Sequence, residues 1–232
     1  MAEVLRLEGL TAGYDDTVVI EDVSLSVEEH AGLALLGRNG VGKTTLLITI
    51  MGLTKIKSGR VIFAGTDLGS VEIHQRAAIG LGFVPQEREI FPSLSVHENL
   101  VVAARSGHWT VDRAYDLFPR LAQRRRNYGN QLSGGEQQML AIARALVGNP
   151  KLILLDEPFE GLAPVLVDGL IEALRRIRGE GGMAMVLVEQ HAQLVLELMP
   201  QAIILDRGQV RWRGDSKALM ADQQQLAAMM GL

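Results

Sequence analysis

A chain of 232 residues is long enough to bury a sizeable core as one domain, with room for a subdomain. Its hydrophobic content of 47% and charged content of 22% are ordinary for a globular protein, and a formal charge of -4 argues against a general nucleic-acid binder. With no cysteine, disulfides and thiolate metal sites are excluded, in keeping with a reducing compartment.

The start, MAEVLRLEGL, lacks the basic stretch and apolar core of a signal peptide. No apolar cluster approaches the roughly twenty residues that span a bilayer, so work at a membrane requires another chain as anchor. VLRLEGL (4–10) and VSLSV (23–27) read as strands separated by Gly and Asp turn signals, and AGLALLG (31–37) reads as a buried strand entering a glycine loop. A helix is expected from Lys43, then a strand at RVIFAG (60–65). From Ser95 to Gly148 the pattern turns helical. Ser95 with Glu98 forms a capping-box signal, and Pro119 breaks the helical run WTVDRAYDLFPRLAQ. Beyond Pro150 strands return at LILLD (152–156), MAMVLV (183–188) and AIILD (202–206), with VLVDGLIEALRRIRG as a helix between the first two. Apolar strands alternating with helices predict an α/β core with a buried, mostly parallel sheet, into which the helical block is inserted.

GRNGVGKT (37–44) matches G-x-x-x-x-G-K-[ST] between a predicted strand and a predicted helix, the context that motif needs. Gly37, Gly40 and Gly42 allow a tight backbone around Arg38, Asn39 and Val41, so that successive N–H groups point at phosphate oxygens. Lys43 is expected to reach the β- and γ-phosphates, Thr44 to ligate magnesium and Thr45 to add a phosphate contact. Lys43→Ala should therefore weaken ATP binding with the fold left intact. LILLDEP places Asp156 at the C-terminal edge of a buried strand, as a magnesium ligand, and Glu157 one step further, to orient or deprotonate a water. Alone, an acidic pair after a strand reads as a cap or a solvated turn; beside a phosphate loop it reads as Mg-ATP hydrolysis. LSGGEQQ (132–138), just before MLAIARAL, supplies a second set of bare amides and a hydroxyl at a helix entrance.

These three motifs, in this order over essentially the whole chain, resemble the ATP-binding subunits of ABC transporters. The resemblance implies a P-loop NTPase fold with a RecA-like core, an N-terminal antiparallel β-subdomain and an inserted helical subdomain. The boundaries expected are 1–86 and 149–232 for the core and 87–148 for the helical part. It also implies a head-to-tail dimer, as a homodimer or with a sister ATPase, in which Ser133, Gly134, Gly135 and Glu136 close over ATP held by the other subunit. Tyr14 matches the adenine-stacking aromatic residue. Gln86 matches the glutamine that links the magnesium and water site to the helical subdomain. Gln138 and Arg144 read as structural.

Two positions depart from the family pattern. Ala163, in FEGLAP, stands where many members carry an aspartate. In VLVEQHA (186–192) the register of the switch histidine falls on Gln190, with His191 one residue late, leaving both as candidates for the γ-phosphate contact. GRNGVGKTTLL, EPFEGLAP and VLVEQ resemble the second, shorter ATPase of branched-chain amino acid importers, with urea import close behind and an exporter subunit as a further alternative. The implied partners are transmembrane permeases and, indirectly, an extracellular or periplasmic solute-binding protein, with no nucleic acid. The implied location is peripheral, on the cytoplasmic side of the inner membrane. Glu87 to Ser93, with Ile90 and Phe91 foremost, are candidates for the permease groove. Arg120 and the run at 124–126 read as a solvated face or as a contact for phosphate or acidic headgroups.

Overall fold

The computed structural model describes residues 2–180 and 182–230. β1 (Glu3–Tyr14) and β2 (Thr17–Glu28) pair antiparallel, β3 (Gly32–Leu36) runs into the glycine loop, and α1 (Lys43–Met51) follows it. β4 (Lys55–Phe63) returns antiparallel to β1, and β5 (Thr66–Asp67) pairs with β4. α2 (Ile73–Ala78) leads to β6 (Leu81–Val84). The helical block comprises α3 (Val96–Val101), α4 (Val111–Leu117), α5 (Pro119–Gln123) and α6 (Gly134–Val147). Next come β7 (Leu152–Asp156), α7 (Pro164–Glu180), β8 (Ala184–Glu189) and α8 (Ala192–Leu198). The chain ends with β9 (Gln201–Asp206), β10 (Gln209–Asp215), α9 (Ser216–Ala221) and α10 (Gln223–Met230).

The capping box expected at Ser95 is present, with Ser95 N–H donating to Glu98 Oε2 at 2.7 Å and Glu98 N–H to Ser95 Oγ at 3.2 Å. Pro119 breaks the helical run as expected: α4 ends at Leu117 and α5 starts at Pro119, where a first-turn residue has no intrahelical use for the N–H that proline lacks. Several expected boundaries move: β1 runs on to Tyr14, β2 begins at Thr17 and β4 at Lys55. The helix anticipated from MLAIARAL begins five residues earlier, at Gly134, so the glycines of the LSGGEQQ stretch form its first turn.

The strands form two sheets. β2-β1-β4-β5 is a separate antiparallel sheet, while β10-β9-β3-β8-β7-β6 is parallel apart from its β10 edge. β3, β7 and β8 are buried along their whole length, the signature of a sheet covered on both faces. Side chains alternate between two cores, as strand geometry demands. Leu33, Leu35, Leu152 and Leu154 pack with α1 and the antiparallel sheet, whereas Ala34, Leu36, Ile153 and Leu155 pack with α6, α7 and α8.

Registers of the central strands set the site. Leu36 at the end of β3 lies opposite Glu189 at the end of β8, and Asp156 at the end of β7 lies opposite Val188. Because these strands are parallel, the glycine loop, the acidic pair and the segment after β8 all emerge at one edge of the sheet, where open α/β sheets place ligands.

Candidate functional site: a phosphate cleft with a buried carboxylate

The loop between β3 and α1 leaves the helix entrance open. Gly42 occupies the N-cap with φ 105°, a conformation that costs a side-chain-bearing residue dearly, and no side chain caps α1. The first amides of α1 therefore have no side-chain acceptor from this chain, which suits an anion.

A cleft of about 260 Å³ lies over this loop. Asn39, Gly40, Gly42, Lys43, Thr44 and Thr45 line one side, and Gln86, Glu157 and Glu160 line another. Lys43 is only 4% exposed, and its three donors are all satisfied. They go to Gly37 O at 2.9 Å, Arg38 O at 3.1 Å and Glu157 Oε1 at 3.0 Å. Glu157 is itself 8% exposed and holds φ 44°, an uncommon conformation for a side-chain-bearing residue and one that clusters at functional sites. Its N–H donates to Val188 O at 3.0 Å. The buried ion pair changes one expectation. Lys43→Ala would strand the Glu157 carboxylate, so it should destabilise the fold by ~3–5 kcal/mol as well as weaken binding.

Asp156 does not itself line the cleft but lies next to its Thr44, Lys43 and Glu157, 1% exposed, and neither carboxylate oxygen has a well-formed hydrogen-bond partner among the described residues. Burial pushes its pKa up to about 6, and the nearby Thr44 hydroxyl and Lys43 ammonium pull it back only in part. An unpartnered buried carboxylate beside a hydroxyl and an open helix terminus fits a divalent cation that takes its remaining ligands from phosphate and water. No cluster of three metal-ligating side chains occurs among the described residues, so protein groups alone do not complete such a shell. Gln86 donates through Nε2 to Glu160, bridging the cleft mouth from the segment after β6 to the loop after β7.

Other candidates lie elsewhere. Tyr14 is 48% exposed at the end of β1 and does not line the cleft; Val19 does. Gln190 and His191 border a neighbouring cavity of about 730 Å³, shared with Phe159, Leu162 and Leu226, and neither lines the phosphate cleft. Ala163 is exposed, and its carbonyl accepts from Leu166 N–H at 2.8 Å as α7 begins.

The signature stretch is also outside the cleft. Ser133 is the N-cap of α6, and its N–H and hydroxyl both donate to Glu136 Oε2 at 2.9 Å. Burial raises the Glu136 pKa, but the two Ser133 hydrogen bonds, with Arg124 and Arg120, leave it below the usual range. A Cβ at Gly135 would press on the Cδ1 tip of Leu166 in α7, which would have to turn aside. Gln138 accepts from Arg88 Nε at 3.2 Å, while Arg144 donates to Glu89 O at 2.6 Å and lies 4.7 Å from the Phe91 ring centroid. These contacts fasten the segment after Gln86 to α6. Ile90 packs partly buried against the core, and Phe91, 45% exposed, lies under Arg144, so only Phe91 of that pair presents a largely open apolar surface. Arg124 pairs with Glu136 at 3.7 Å, and Arg125 and Arg126 border a surface cavity with Tyr128.

Sequence reasoning missed Val19, Glu160 and the buried Glu189. Val19 and Glu160 carry no motif signal. Glu189 has one, an acidic residue closing an otherwise apolar strand.

Comparison with known proteins agrees with this geometry. The family model described as ABC transporter matches residues 20–160. The chain is 35% identical, over 98% of its length and 100% of the relative's, to the high-affinity branched-chain amino acid transport ATP-binding protein BraG of Pseudomonas aeruginosa. It is 33% identical, over 98% of the chain and 97% of the relative, to the lipopolysaccharide export system ATP-binding protein LptB of Haemophilus influenzae. Among solved structures, an ATP-binding cassette of an ABC transporter in its ADP conformation superposes with a TM-score of 0.81 at 25% identity, over 100% of both chains. A dimeric cassette in a post-hydrolysis state, bound to ADP and Pi, does so with a TM-score of 0.80 at 25% identity, covering 91% of this chain and 98% of that one. The chain belongs to the ABC transporter family, as one of its ATP-binding, ATP-hydrolysing subunits.

Proposed function

We propose that the chain hydrolyses Mg-ATP as one half of a head-to-tail dimer and that this drives solute import through a membrane permease, with branched-chain amino acids as the cargo. The observation that carries the hydrolytic part is the buried Lys43–Glu157 pair beside an unpartnered Asp156. Lys43 has no spare donor, so it binds phosphate by giving up an acceptor, and Glu157 is the charged one of its three. That exchange frees the Glu157 carboxylate to accept a proton from water at the moment the cleft is loaded. Asp156 and Thr44, with Gln86 at the mouth, would hold magnesium, which supplies charge neutralisation at the phosphate oxygens. The amides of 37–44 orient the phosphates. Ser133, Gly134, Gly135 and Glu136 serve the opposing subunit, a reading supported by their position outside their own chain's cleft. Tyr14 would meet the adenine, and Gln190, or else His191, would sense the γ-phosphate after a movement of the segment following β8.

Among the described residues no helix is long and apolar enough to cross a membrane, so the subunit would act peripherally, on the cytoplasmic face, through its permease partners. The stretches GRNGVGKTTLL, EPFEGLAP and VLVEQ and the relatives named for branched-chain amino acid transport support import. The relatives named for lipopolysaccharide export, almost as similar, keep an export subunit as the second reading. Co-purification with the permease and reconstitution in vesicles tests the choice. ATP-dependent uptake of leucine is expected. Uptake of urea alone would move the cargo within the importers, and no uptake of either would sink the import reading.

A further inference from the structure

One buried carboxylate remains without a task. Glu189 closes β8 and is 1% exposed, with no salt bridge among the described residues. An anion buried without a cation is an expensive way to fill a core position, and an apolar side chain would serve stability better. Its oxygens are instead divided between two loops. Oε1 accepts from Phe159 N–H at 3.2 Å, and Oε2 accepts from Gln190 N–H at 3.1 Å and His191 N–H at 3.5 Å. Phe159 is 4% exposed and two residues beyond Glu157, whose own N–H is held by Val188 O. The short stretch from Glu157 to Phe159 is thus pinned to the end of β8 at both of its ends.

We propose that Glu189 is a positioning residue for ATP hydrolysis, clamping the loop that carries Glu157 to the segment that carries Gln190 and His191, one carboxylate oxygen to each. The proposal rests on the roles assigned above to Glu157 and Gln190. It adds that the group activating water and the group sensing phosphate are held in register by a third side chain that touches neither substrate nor metal. Hydrogen bonds to an ionised acceptor are stronger than neutral ones, which is why a carboxylate does this better than an amide. Burial raises the Glu189 pKa, and the three backbone N–H groups oppose that rise.

The test uses the full chain. Glu189→Gln keeps the shape but turns one acceptor into a donor facing a backbone N–H, so one of the two loops is released. Its kcat for ATP should fall about ten- to a hundredfold, the scale of small misplacements of reacting groups, while Mg-ATP affinity by calorimetry stays within about twofold. Glu189→Asp keeps the charge but is one methylene too short to reach both loops, and it should show the same split if Glu189→Gln does not fold. Glu189→Gln combined with Gln190→Ala then tells which loop the amide releases: no loss beyond the slower single variant points to the Gln190 segment, and multiplying losses point to the Glu157 loop. Wild-type kcat in both Glu189 variants, or a parallel loss of kcat, affinity and melting temperature, would overturn the clamp. A silent Gln190→Ala beside a slow Glu189→Gln would instead remove the sensing role from Gln190 and leave the clamp on the Glu157 loop.

Discussion

The loop at 37–44 and the stretch at 133–136 both feed backbone amides into the first turn of a helix, but they are finished differently. At α1 the cap is a glycine with no side-chain acceptor, the following lysine is buried, and a carboxylate without partners lies beneath. At α6 the cap is Ser133, exposed at the surface and already bonded to Glu136 of the same first turn. The first end is built to receive an anion from solution. The second is satisfied within its own chain, and its use against an opposing subunit is the reading proposed above. Similar local sequence chemistry yields an open helix end in one place and a capped one in the other, and the difference lies in what the rest of the fold sets around each turn.

The largest effect expected from attacking this contrast is on the first region. Glu157→Gln keeps the shape of the Lys43 partner but cannot take a proton, so hydrolysis should fall ~10²–10⁴-fold with Mg-ATP still bound. Phosphate release at the wild-type rate would move water activation to another group. The second region predicts the opposite separation. Ser133→Arg should leave ATP binding to a monomer within about twofold while assembled-dimer turnover drops at least tenfold, about 1.4 kcal/mol in barrier. Loss of binding in a verified monomer would make α6 part of its own chain's site and dissolve the distinction.

A smaller effect follows from the unpartnered Asp156. Its pKa in the fold, about 6, lies above that of an unfolded aspartate, so the folded state binds the proton more readily. The ionised form therefore destabilises the fold above pH 6, by ~3 kcal/mol when fully expressed, and the penalty fades as pH falls from 6 towards 4. Without nucleotide or magnesium, the difference in melting temperature between Asp156→Asn and the parent should shift in the parent's favour over that interval. A pH-independent difference would show that Asp156 is already well solvated or paired. The smallest effect belongs to the signature glycine. Gly135→Ala must displace Leu166, at ~1–3 kcal/mol of stability. An unchanged melting temperature would mean that α7 yields freely there.

The cleft was readable from sequence where function depends on short, contiguous spacing. A phosphate loop between a strand and a helix, and two acids after four apolar residues, each specify local geometry almost completely. Residues that reach the cleft from a distance were not readable. Glu160 meets Gln86 across 74 positions of chain, and Val19 lines the cleft from a separate sheet. β6 was missed because four residues between Gly80 and Pro85 carry little periodicity, and β10 because its exposed edge is rich in charge. Both become strands only when a neighbouring strand offers its hydrogen bonds.

By itself the sequence determined the class of this protein, since the glycine loop with its lysine, the acidic pair and the LSGGEQQ stretch stand in motifs whose backbone geometry is local. Only the tertiary structure decided the company those groups keep. Parallel registers place Asp156 beside Val188 and Glu189 beside Leu36, and thereby bring Lys43 onto Glu157 and set one carboxylate between two loops. No spacing along the chain encodes those pairings, because they arise from strand order within the sheet, which is selected by burying both faces at once.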